Sequence, residues 1–271
     1  MYYQIYVFLN TRSFQQLRLN TMHKLIALLA TLLISQISYA QESELTEKIN
    51  EAMASEIREE SERDRDRNRR PAQTLEFFGL TTDMKVLELI PGGGWYTKLL
   101  APTLREDGEL HVAIGTTRVK EQLIQLQGMD KINVIEIDAE IESSDTPRLR
   151  TIGEFSFGED GFDAVLTFRN MHNFDAAGRN SVNEAVFEAL EPGGIYGVVD
   201  HTLRHMEPFS SENRRRADPV LMIKEIQAAG FEFVDYSDVH YRPDDELRFE
   251  VGRKSVTGNT DRFTLLFVKP K

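Results

Sequence analysis

The stretch Val86–Thr97, VLELIPGGGWYT, constrains the chain more than any other. A continuous apolar run of strand length, MKVLELI, ends on Ile90 and Pro91 and meets three consecutive glycines, Gly92, Gly93 and Gly94. It then passes into WYTKLLAPTL, which reads as a short helix broken at Pro102. A strand apolar on both faces belongs inside a sheet covered on both sides, the usual situation of parallel strands. Glycines at a strand-to-helix junction permit positive φ and let backbone N–H groups approach a ligand with no Cβ between. The helix start that follows favours an anionic group. The alternative is a tight structural turn. Glu88 lies inside the apolar run; a bare carboxylate there is costly, so it needs partners on either reading.

The same unit recurs downstream. After Pro71, TLEFFGL reads as a helix closed by Gly79. ELHVAIG, INVIEID, FDAVLTFR and IYGVVDH read as further strands, separated by helical VKEQLIQLQG and SVNEAVFEALEPGG. DPVLMIKEIQAAG is a helix with Asp218 as N-cap and Gly230 at its end, and FEFVDYSDV and RFTLLFVKP are two closing strands. Alternating strands and helices predict a doubly wound α/β fold with a mostly parallel sheet and helices on both faces. A chain of 271 residues with 41% hydrophobic content can bury one sizeable core. The net charge of −12 disfavours nucleic acid or an anionic membrane surface as the main partner, and a small molecule suits it better. Without cysteine there is no thiolate metal site, disulfide or thiol nucleophile.

The domain organisation follows from composition. Residues 22–40 carry a short basic start (His23, Lys24), an apolar run from Leu25 to Ile34 and small residues at Ser38 and Ala40. This predicts a secretory signal cut after Ala40, hence a periplasmic or secreted protein with no stable membrane insertion once the signal is removed. The run is too short to span a bilayer comfortably. Translation is then expected to start at Met22, with residues 1–21 an upstream extension. Residues 41–70 are densely charged with a thin apolar stripe of Ala52, Met53 and Ile57, expected as a solvated helix and linker leading to the domain at 71–271. A basic cluster there could meet a polyanion, but the interspersed acids favour a solvated face.

From Pro71 to Lys271 the chain resembles the class I S-adenosylmethionine-dependent methyltransferases. VLELIPGGG stands where that family has an acid and a G-x-G-x-G loop; INVIEIDA, FDAVLTFRNMHNF, LEPGGIYGVVDH and RFTLLFVKP follow in the family's order. PGGGWYT, RNMHNF and TDRFTLLFVKP are similar to a bacterial, often exported subgroup of predicted methyltransferases. The resemblance implies a seven-stranded Rossmann-like sheet with the last strand antiparallel, S-adenosylmethionine as cofactor and a small-molecule methyl acceptor. It assigns Gly92 and Gly94, with Gly93 between them, to the cofactor's methionine end, Glu88 to its cationic side and Asp138 to the adenine. Pro91 in the same turn, Tyr96, which could instead pack the first helix, and Arg169 after strand four are further candidate cofactor residues. Glu88 capped by backbone N–H groups, and Asp138 as a turn or N-cap residue, are the structural alternatives. Two departures stand out. Ile90 replaces the first loop glycine and, preceding Pro91, is expected to be extended. Strand two ends AIGTTR, without the acid that grips the ribose, leaving Thr116 or Thr117 for weaker bonds.

Methyl transfer needs in-line positioning and, for many acceptors, a general base at the carboxyl edge of the sheet. RNMHNF and VVDHTLRH supply Asn170, His172 and Asn173, and Asp200, His201 and His205. His172 is the first candidate base, His201 the second, with Asp200 beside them; hydrogen-bonded structural histidines are the alternative. His205 follows His201 by four residues, but after a strand rather than on a helix, so no metal is expected. Trp95 is read as packing as readily as ligand-covering, and Phe77 and Phe78 as core. A non-catalytic exported binding protein on the same scaffold is the competing expectation, and a nucleotide-dependent oxidoreductase, lacking G-x-G-x-x-G spacing, ranks below it.

Overall fold

The computed structural model describes residues 44–271. The expected extension, 1–21, and signal, 22–40, lie outside the described residues. Among those described, no helix is long and apolar enough to cross a membrane.

Helix α1 (residues 44–54) leads through two single-turn helices, α2 (Glu60–Arg63) and α3 (Asp66–Arg69), into α4 (Pro71–Phe77). Then come β1 (Lys85–Leu89), α5 (Thr97–Leu104), β2 (Glu109–Ala113) and β3 (Asn133–Ile135). A small antiparallel pair, β4 (Ile141–Ser143) and β5 (Arg150–Ile152), precedes β6 (Phe162–Phe168), α6 (Ala176–Ala189) and β7 (Leu190–His201). Helix α7 (Pro219–Ala228), β8 (Glu232–Ser237) and β9 (Arg262–Val268) finish the chain. The sheet order is β3-β2-β1-β6-β7-β9-β8, parallel up to β7, with β9 antiparallel to both neighbours. The expected seven-stranded, doubly wound architecture is therefore what forms.

Strand periodicity divides the core in two. Leu87, Leu89 and Val165 face α6 and α7, packing with Val182, Val186 and Ile226. Val86, Ala164 and Leu166 face the other side, packing with Ile49 from α1, Leu75 from α4 and Leu99 from α5. Glu88 shares the second face with Val86.

Several local expectations change. Residues 119–128 make only one wide π turn, Val119–Leu123. Its two core-facing side chains are Val119 and Leu123, and Leu126 is 36% exposed, so no apolar stripe supports a longer helix. Helix α5 is not broken at Pro102 but continues to Leu104, held because every other residue in it is buried. Helix α6 starts at Ala176, where Asp175 accepts a bond from the Gly178 N–H, and the Pro-Gly-Gly turn is absorbed into the start of β7. The charged lead-in is exposed along most of its length, but it is also anchored to the domain. Leu45, Ile49 and Ala52 are core residues, and Arg58, 1% exposed, forms a two-pronged ion pair with Asp66 at 2.5 and 2.9 Å. Trp95 Nε1 donates to the Glu62 carbonyl at 3.0 Å and Lys98 pairs with the Glu62 carboxylate at 2.8 Å. Tertiary partners thus fix a segment whose composition suggests hydration.

Candidate active site

The strand order reverses between β2-β1 and β6-β7, and the crevice outside the carboxyl ends of β1 and β6 is where such sheets bind ligands. There a cleft of about 270 Å³ is lined by Glu88, Pro91, Gly92, Gly93, Tyr96 and Arg169, all singled out from sequence. Ile90 is not extended as the following proline suggests: its φ is +53°, left-handed. Its N–H continues the β1 ladder to the Ala113 carbonyl at 2.9 Å, and Asn170 Nδ2 donates to the Leu89 and Ile90 carbonyls. This strained turn sits where the resemblance places a glycine, the residue that adopts such a φ without cost.

The three glycines differ in role. A Cβ on Gly92 or Gly93 would meet nothing closer than 3.8 Å, so both leave open space on the cleft floor. Gly94, with φ +76°, does not line the cleft; a Cβ there would overlap Leu123 Cδ1. Its missing side chain leaves room for Leu123 rather than for the cleft.

Glu88 is 3% exposed, and Thr97 Oγ1 donates to its Oε2 at 2.6 Å. Burial pushes its carboxyl up to about 7, opposed by the Thr97 bond and the nearby Arg69 charge. Tyr96 stacks on Phe168 at 3.5 Å between ring centroids, which completes an aromatic wall. Trp95 is mainly a packing residue, with the Arg69 guanidinium over its ring at 4.2 Å.

Asp138, assigned to the adenine, is exposed and lies outside the residues that line the cleft. After strand two, the side chain that reaches the cleft is neither Thr116 nor Thr117 but Arg118. Arg65 and Arg69, from the segment read as solvated, line it too. Composition could not reveal these: a run such as RDRDRNRR carries no apolar period, and only the fold turns Arg69 inward, to 4% exposure.

The turn after β6 serves two cavities. Phe168, Arg169 and Asn170 line the cleft, whereas His172 and Phe174 line a second cavity of about 350 Å³ with Leu203, Met206 and Leu221. His172 Nδ1 lies 2.5 Å from Asp200 Oδ1, and Asp200 also accepts bonds from the backbone N–H groups of His172 and His201. Asp200 is fully buried, and in a neutral imidazole donating to it the proton stands on Nδ1 and Nε2 is the acceptor. His201 is 3% exposed, and its Nδ1 contacts Thr260 Oγ1 at 2.9 Å. Burial and the Arg262 charge hold it well below the usual imidazole range, so it stays neutral in the interior. His205 is exposed and pairs with Asp218, the α7 cap, at 2.8 Å.

No family model and no curated protein sequence matches the chain. Solved structures do. One similar structure is an S-adenosylmethionine-dependent methyltransferase from Aquifex aeolicus, at 14% identity and TM-score 0.52, covering 83% of this chain and 98% of the other. Another is the [4+2]-cyclase SpnF, at 18% identity and TM-score 0.52, covering 75% of this chain and 81% of the other. The chain has the fold of the class I S-adenosylmethionine-dependent methyltransferases. That a protein described as a cyclase is as similar as one described as a methyltransferase shows why the site, and not the fold, must carry the functional argument.

Proposed function

We propose that the protein is an exported S-adenosylmethionine-dependent methyltransferase acting on a small molecule. The observation that carries this is the floor of the switch-point cleft, where Gly92 and Gly93 leave open space beside the buried carboxylate of Glu88. The donor set fits the cofactor's methionine end: backbone N–H groups approach without a Cβ, and Glu88 matches a cationic centre. Tyr96 and Phe168 supply a flat apolar wall. The fit is poorer after strand two, where Arg118 reaches the cleft and no ribose-gripping acid does. Export rests on the pattern of residues 22–40 alone.

When bound, S-adenosylmethionine supplies an electrophilic methyl carbon. The chain's own contribution is to orient the acceptor and take its proton. The second cavity, whose lining mixes apolar Leu203, Met206 and Leu221 with charged Arg179, Glu207 and Glu225, holds the acceptor's body. His172, fixed in one tautomer by Asp200, presents Nε2 as the proton acceptor. Asp200 is the positioning residue, and His201 remains structural. Calorimetric titration with S-adenosylmethionine and S-adenosylhomocysteine tests the reading; no heat and no thermal shift at millimolar ligand would sink it. The arginine content of the cleft also suits a non-catalytic, anion-binding protein, which would bind ligand but show no methyl transfer to any acceptor.

A further inference from the structure

The cleft carries more positive charge than its neighbours can balance. Arg65, Arg69, Arg118 and Arg169 all line it, and among the described residues none of them forms an ion pair or a side-chain hydrogen bond. Of the two acids present, Glu62 is paired with Lys98, and Glu88 sits near half-protonation at neutral pH. Arg169 has a left-handed backbone, φ +65°, and a buried Nε with no partner. Arg262, 8% exposed, also has an unpartnered buried Nε, although its Nη1 donates to the Asn68 carbonyl at 2.6 Å. Burial, chiefly, weakens the hold of Arg69, Arg169 and Arg262 on their protons; the Arg169 charge adds to this at Arg69 and Arg262, the Arg65 charge at Arg169, and Tyr96 opposes it at all three. Asp200, which attracts Arg169 and Arg262, is already committed to His172 and His201.

Arg65 and Arg118 are exposed, but Arg69 is buried and Arg169 half-buried; a buried guanidinium without a counter-ion is costly, and the forked donors of all four match oxyanions. The cofactor proposed above cannot neutralise them, because its sulfonium and ammonium outweigh its single carboxylate and bring one further net positive charge. We infer that the cleft takes a second, anionic ligand, a small molecule bearing a phosphate or carboxylate group, held by Arg169 and Arg118 with Arg69 behind. Resting on the methyltransferase reading, this makes the methyl acceptor an oxyanion-bearing compound. It also makes cofactor and anion bind cooperatively, since each offsets the other's charge.

The test uses thermal melts of the full chain at constant ionic strength in chloride, titrated with inorganic phosphate, pyrophosphate or tricarballylate. The expected result is a rise in melting midpoint with at least one of these, its affinity weakened roughly tenfold in Arg169→Gln and in Arg118→Gln. Phosphate-type or carboxylate-type selectivity names the oxyanion. Without anion, Arg169→Gln should melt no lower than wild type, because a like charge is removed; a merely structural arginine would lower it. Arg118, exposed and unbonded, gives a variant that keeps the fold. In the anion's presence S-adenosylmethionine should bind roughly fivefold tighter or better. No response to any anion, or an undiminished response in both variants, overturns the inference. Mutually exclusive binding of anion and S-adenosylhomocysteine also overturns it, by showing that the arginines serve the cofactor's carboxylate. An anion response without any cofactor binding retires the methyltransferase reading and leaves the anion site standing.

Discussion

Gly93→Val separates a ligand cradle from a structural turn. Gly93 does not need a left-handed φ, and a Cβ built on it would meet only Arg118 Nη1, at 3.8 Å, the end of a flexible exposed side chain. The folded protein should therefore accept valine, and stiffening the unfolded chain even favours folding by about 0.4–1 kcal/mol. The added methyl groups point into a cleft of about 270 Å³. Overpacking against a ligand costs about 1–3 kcal/mol, and the loss of a close backbone N–H contact to a charged group about 1.5–3 kcal/mol. Together these weaken cofactor affinity by roughly a hundredfold or more. Calorimetry with S-adenosylhomocysteine, alongside a thermal melt, reads both effects. Gly94→Ala should give the opposite pattern. Its left-handed φ and the overlap with Leu123 lower stability by about 2–4 kcal/mol, while the side chain never enters the cleft. Unchanged affinity in a well-folded Gly93→Val protein would refute the cradle.

Glu88 makes a pH prediction. Its carboxyl sits at about 7 in the fold against an ordinary 4.5, so the folded state keeps a proton the unfolded chain has lost. Its contribution is full below about 4.5 and falls as pH rises through 7, by about 3 kcal/mol. Glu88→Gln, which can still accept the Thr97 bond, should remove that slope in chemical denaturation measured from pH 5 to 8; parallel pH profiles of variant and wild type would count against it. Ionisation of Glu88 favours a cation, so S-adenosylmethionine should bind more tightly as wild type passes from pH 6 to 8, with a flatter profile in the variant. His172→Gln should lower turnover roughly 10²–10⁴-fold with cofactor affinity kept; equal loss of both in single-turnover and binding assays argues against a base. Arg216→Met strands Asp245, its fully buried partner at 2.9 Å, and should cost about 3–5 kcal/mol by urea denaturation.

The parts of this molecule that sequence made legible are those where one residue type has one physical use. Apolar runs at strand length located β1, β6 and β7, and Asp218 with Gly230 bracketed α7, because caps and strands act locally. The glycine turn showed where the cleft would lie but not the division of labour within it, since whether a missing Cβ admits a ligand or Leu123 depends on a residue 29 positions from Gly94. His172 and Asp200 stood out as residue types, yet their pairing needed the parallel alignment of β6 with β7.

The charged segment before Pro71 is mostly exposed, as its composition suggests, yet it hid the buried Arg58 and Arg69 for a more general reason. Charge density measures what a chain shows to water only if nothing else claims those charges. Here Asp66 claims Arg58 and Lys98 claims Glu62, while the Trp95 ring holds Arg69 without cancelling its charge. What remains after each such pairing is the informative quantity, and at this cleft the remainder is positive. A site whose unpaired charges share one sign is incomplete as protein alone, because desolvated like charges without a counter-ion raise the energy of the folded state. Arg118 lies in the loop after strand two, where the resemblance leads one to look for an acid. Arg118 thus links the departure from the family pattern to the excess charge, to which Arg65 and Arg69 before α4 and Arg169 after β6 also contribute.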